Sequence, residues 1–143
     1  MSKDRFWLKV LLVAMLLLGV FFRFANLGDK VYWHDEAYTS LRAAGYTRGE
    51  IDRAIFQNQL IPATRLQIFQ QLKPGSNAGD TVRSLAQEDP QHPPLYFLMA
   101  RGWMQRFGSS RTASRSLPAL LSLLSLPLMY KLAMELFASP AAA

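Results

Sequence analysis

Two short acidic stretches hold the residues best suited to chemistry. Tyr32-Trp33-His34-Asp35-Glu36-Ala37 lies early in the chain, and Glu88-Asp89-Pro90-Gln91-His92-Pro93-Pro94 follows much later. A carboxylate beside a histidine can take a proton from a hydroxyl, and a few such groups together can hold a divalent cation. A plainer reading gives the same residues structural work. Asp35 precedes a helix expected over Glu36 to Ala44, and Asp is a favoured N-cap. Glu36 would then complement the helix dipole, Asp89-Pro90 would open a turn, and His34 and His92 would be surface residues. Residue types alone leave both readings open.

The elements that must position these stretches are three apolar blocks. The first runs from Phe6 to Phe22, interrupted by Lys9, and is preceded by Lys3 and Arg5. A spanning helix needs about 20 mostly apolar residues, and basic residues stay on the cytoplasmic side. The block ends in Phe21-Phe22-Arg23-Phe24, bulky residues where a cleaved signal peptide would need small ones. An uncleaved anchor with a cytoplasmic N-terminus over residues 1–24 is therefore expected. The second block, within 93–108, opens on Pro93-Pro94, which suits a first helical turn. The third, 117–137, carries Pro118 and Pro127, tolerated where neighbouring helices satisfy the freed carbonyl.

Charge supplies the threading. The chain holds 16 Lys and Arg against 10 Asp and Glu, a net charge of +6. Its basic residues flank apolar blocks instead of forming a stripe with interleaved aromatics, so nucleic acid is not an expected partner. Eight of the ten acids lie within 25–92, whereas Arg106, Arg111 and Arg115 lie between the second and third blocks. The positive-inside rule puts 25–92 outside the cell membrane, the basic link 109–116 inside, and 138–143 as a tail beyond the third helix. The chain contains no cysteine, which excludes a disulfide framework, thiol catalysis and Cys-ligated zinc.

The outer loop carries helix signals of its own. Thr47 and Glu50 have capping-box spacing. Pro62 can start a segment with Leu66, Phe69 and Leu72 on one side, and Asp80 can cap a further helix. Amphipathic segments of this kind would lie along the membrane surface or pack on other parts of the protein.

Taken together, Arg23-Phe24 through Leu27, then Trp33-His34-Asp35-Glu36-Ala37, then His92-Pro93-Pro94-Leu95-Tyr96-Phe97 resemble the N-terminal part of GT-C glycosyltransferases. More narrowly, they look like the family of protein O-mannosyltransferases and the lipid A aminoarabinose transferase. Ser114-Arg115-Ser116-Leu117-Pro118-Ala119-Leu120 is similar to the start of that family's third helix. The resemblance implies an all-α membrane protein of the plasma (inner) membrane: the N-terminal fragment of a GT-C polytopic fold, with about three transmembrane helices and amphipathic helices in the first outer loop.

It also implies an inverting transfer of a hexosyl or pentosyl group from a polyprenyl-phosphate donor to a lipid, glycan or protein hydroxyl. Asp35 would be the catalytic base and Glu36 would orient the acceptor or tune Asp35. Asp89 and His92 would hold a divalent metal ion, although Pro90-Gln91 widens the spacing found in mannosyltransferases. Arg23, His34 and Glu88 would face the donor phosphate or the substrate. Such enzymes have more spanning helices than three, so this segment alone is expected to be inactive. The competing expectations are a non-catalytic membrane scaffold, in which Asp35 is only a cap, and a transporter fragment, against which no matching pair of broken helices is visible.

Overall fold

The computed structural model describes residues 3–138, so most of the expected tail (139–143) lies outside the described residues. The chain is all-helical, with no strand among the described residues. Six α-helices appear in order: α1 Lys3–Phe24, α2 His34–Ala44, α3 Arg48–Ile55, α4 Ala78–Glu88, α5 Pro94–Phe107 and α6 Arg111–Phe137, with a 3₁₀ helix Ala63–Gln70 between α3 and α4.

Helix length separates these elements. At 1.5 Å per residue, the 22 residues of α1 reach about 33 Å and the 27 of α6 about 40 Å, enough for a hydrocarbon core of about 30 Å. These two are the described helices long and apolar enough to cross a membrane. The 14 residues of α5, where a second of three spans is expected, reach only about 21 Å. Helix α6 begins at Arg111, before its apolar block, because Ser110 caps it there. The Ser110 Oγ accepts the Ala113 N–H at 3.1 Å and its carbonyl takes the Ser114 N–H at 2.9 Å.

The chain divides into two units, 1–29 with 115–143, and 30–114. In the first, the apolar side chains of α1 are almost all exposed. Two arginines tie its helices together. Arg23 donates from Nε to the Ser122 Oγ at 2.8 Å and from Nη1 to the Gly19 carbonyl at 3.0 Å, while Arg115 donates to the Leu27 carbonyl at 2.6 Å.

The second unit is built around the C-terminus of α2. Gly45 takes the left-handed conformation, φ 89°, that closes a helix in a Schellman motif. Its N–H bonds to the Arg42 carbonyl and the Tyr46 N–H to the Leu41 carbonyl. The last carbonyls still need donors. Thr81 on α4 donates to the Ala43 carbonyl at 3.0 Å, and Ser84, one turn on, to the Tyr46 carbonyl at 2.6 Å. Arg101 of α5 adds bonds to the Ala43 and Ala44 carbonyls at 3.3 and 3.2 Å, and to the Ser76 carbonyl at 2.7 Å. Ala43 and Ala44, both fully buried, let these elements approach closely, and Tyr46 and Met104 complete a small core bordered by Ile51, Phe69 and Leu72.

Arg101 is 3% exposed, so its replacement by Met leaves buried carbonyls without a donor. Arg101→Met is expected to destabilise the 30–114 unit by about 3 kcal/mol, read as lost hydrogen-exchange protection in α2 with α1 unchanged. Gly45→Ala is expected to cost about 1–2 kcal/mol in the same assay. It forces a side chain into left-handed backbone, with the new Cβ 3.2 Å from Arg101 Nη1.

Candidate functional site at the start of α2

Helix α2 starts at His34, earlier than expected, with Trp33 as its N-cap residue. The indole offers no acceptor to the first-turn amides. Glu36, at the third helical position, supplies the cap instead by reaching back to accept the Trp33 N–H at 2.8 Å. Asp35 is therefore not the N-cap. Its side chain is 86% exposed, and the His34 Nδ1 lies beside it at 3.5 Å, the outer limit of a hydrogen bond. The His34 ring lies 4.6 Å from that of Tyr38, one turn further along.

Two phenols join this cluster. The Tyr32 hydroxyl is hydrogen-bonded to the Ser40 Oγ, which holds the segment before α2 against the helix. Tyr96 stands in the first turn of α5, which Pro94 opens. Burial first, then the Tyr32 phenol and the Glu36 carboxylate close by, push the Tyr96 hydroxyl above its ordinary pKa. Helix α2 packs on α5, which brings the two motifs within electrostatic reach of one another. The signal for both tyrosines is their place inside those motifs, but acids and histidines attract attention first.

Asp89 and His92 also meet. Helix α4 ends at Glu88, and Asp89 to His92 fold into a turn closed by the His92 N–H on the Asp89 carbonyl at 3.1 Å. The Asp89 Oδ1 lies 2.9 Å from the His92 Nδ1 and also accepts from Gln91. The Pro90-Gln91 spacer is what allows this closure. His34–Asp35 and Asp89–His92 remain two separate pairs, since no group of three or more His, Asp or Glu side chains that could hold a metal forms among the described residues.

The other sequence candidates sit elsewhere. Arg23 is engaged with Gly19 and Ser122 in the first unit. Glu88 does structural work: it pairs with the buried Arg42 and receives the Arg48 N–H at the start of α3 on both oxygens, at 2.8 and 2.7 Å. The capping box of α3 forms as expected, with the Thr47 Oγ1 accepting the Glu50 N–H at 3.3 Å and Glu50 accepting the Thr47 N–H at 3.0 Å. No protein-family model, curated protein or solved structure matches this chain.

Two carboxyl groups link the fold to pH. The Lys73 ammonium, then the Thr47 N–H, hold Glu50 below its ordinary value of 4.5. Burial pushes Glu88 up, but the Arg48 N–H and the Arg42 guanidinium together outweigh it and the net shift is down. Depressed carboxylates contribute stability above the unfolded value, and that contribution is lost as pH falls through the folded ones. Acidification below about pH 4 is therefore expected to melt the 30–114 unit, followed by circular dichroism. Glu88→Gln should be less stable at neutral pH and show a shallower acid transition.

Proposed function

We propose that this chain is the N-terminal part of an integral membrane glycosyltransferase of GT-C type, which moves a sugar from a polyprenyl phosphate to an acceptor hydroxyl at the extracytoplasmic face. The observation that carries this reading is the division of labour at the start of α2. Glu36 caps the helix, which leaves Asp35 exposed on a rigid element with acceptor capacity to spare.

In the proposed reaction Asp35 takes the proton of the acceptor hydroxyl. The acceptor oxygen bonds to the anomeric carbon from the face opposite the donor, inverting it, and the polyprenyl phosphate departs with the bonding pair. Glu36 acts by holding the helix start, and so positions Asp35 without touching substrate. Asp89 and His92 are the residues that would hold a divalent cation, were the reaction to use one. Such a cation would neutralise the leaving group's charge. The membrane setting rests on the length and exposed apolar surface of α1 and α6.

Asp35→Asn in the complete gene product is expected to lower sugar transfer by at least about 100-fold while expression and helix content stay unchanged. Transfer at the level of the unaltered protein would overturn the assignment. Glu36→Ala is expected to lower the stability of α2 by about 1 kcal/mol and to reduce transfer by less than Asp35→Asn does.

A further inference from the structure

Glu36 fixes where α2 begins, but that cap does not aim the neighbouring Asp35 carboxylate, whose side chain is 86% exposed. A general base must be held toward the proton it takes, and a misplacement of about 1 Å can cost about 100-fold in rate. Beside Asp35 stands the His34 ring, with its Nδ1 3.5 Å from the Asp35 Oδ1. A contact that long restrains its partners weakly, so the His34 ring needs a support of its own.

That support runs along one face of α2. His34, Tyr38 and Arg42 follow at intervals of four residues, the spacing that stacks side chains on a helix surface. The Tyr38 ring lies 4.6 Å from the His34 ring and is tilted from it by 47°. From the next turn, the Arg42 guanidinium stands over the same Tyr38 ring, 6.0 Å from its centre and within cation–π range. Arg42 is fixed where His34 is not. It is 5% exposed, reaches the Ser84 hydroxyl at 3.3 Å and pairs with Glu88, both on α4.

We propose that Tyr38 is a positioning residue for sugar transfer, carrying the rigidity of the Arg42 clamp between α2 and α4 to the His34 ring and through it to the Asp35 carboxylate. The inference rests on the reading of Asp35 as the base. An aromatic ring suits this work because one flat group can meet both an imidazole and a guanidinium. The phenol hydroxyl takes no part in it, and a leucine would offer neither neighbour a π face. Tyr38 is 36% exposed, so its ring adds little to the core and can be exchanged without loss of the fold.

The test compares Tyr38→Leu with Tyr38→Phe in the complete gene product, in membranes whose polyprenyl-phosphate sugars carry a radiolabel. Tyr38→Leu should lower kcat about ten-fold with little change in donor KM, and Tyr38→Phe should restore most of that loss. Hydrogen-exchange protection of α2 should be the same in both. The chain holds two histidines, so the His34 ring protons are readily assigned by NMR. They should lie upfield with Tyr or Phe at position 38 and return toward their ordinary shift with Leu. Equal losses in the two variants, or a loss that tracks α2 protection, would overturn the proposal. Asp35→Asn separates the two levels: if it abolishes transfer while Tyr38→Leu does not, this inference alone fails. If Asp35→Asn transfers normally, the site reading and this inference fail together.

Discussion

A buried guanidinium without an acid partner holds the 30–114 unit together. Among the described residues, the partners of Arg101 are neutral oxygens: the carbonyls of Ala43, Ala44 and Ser76, and the hydroxyls of Ser76 and Thr81. What offsets its charge is the end of α2, where unsatisfied carbonyls carry partial negative charge. One side chain on α5 thereby fixes the end of α2, the turn at Ser76 and the start of α4. Arg42 does complementary work from the adjacent position in α2, reaching Ser84 and Glu88 on α4. With its C-terminus held from three sides, α2 has a defined direction, and its other end presents Asp35 in a reproducible place.

The neighbouring acids Asp35 and Glu36 show how position within a helical turn assigns different work to similar groups. The third position can reach back to the cap residue's amide, and the second cannot. Asn77 and Asp80 repeat the arrangement in α4, where Asn77 accepts the Gly79 N–H at 2.7 Å and Asp80 accepts the Asn77 N–H at 2.8 Å. Asp80, expected as a cap residue, is thus the returning member of a capping box. In α2 the cap residue has no acceptor of its own, so Glu36 carries that end alone.

Local chemistry in this chain is legible wherever a few adjacent residues decide the outcome. The all-helical class, the first long helix, the Thr47–Glu50 capping box and the opening of α5 at its prolines all follow from short patterns. Leu66 and Phe69, three residues apart, lie in a segment that adopts a 3₁₀ helix, whose side chains stack every third residue, and Leu72 follows just beyond its end. Distant partners are not legible in this way. Arg101 reads as an interruption in an apolar block, because its carbonyl partners lie far away in the chain, those on α2 more than fifty residues back. Nor does the block's pattern reveal which of its side chains are buried against protein, as Phe97, Arg101 and Met104 are. Glu88 reads as a candidate ligand until α3 supplies the amides that occupy it.

The pairing of α1 with α6 has a rotational consequence. Arg23 reaches from α1 to Ser122, and Arg115 reaches from α6 back to the Leu27 carbonyl just beyond α1. Each step along a helix turns its side chains by about 100°, so a slip of one residue would swing Arg23 off the serine. In hydrocarbon no water would replace the lost bond. Two polar links running in opposite directions therefore set the azimuth of each helix, and with it which apolar faces turn toward the other helix and which turn away from it.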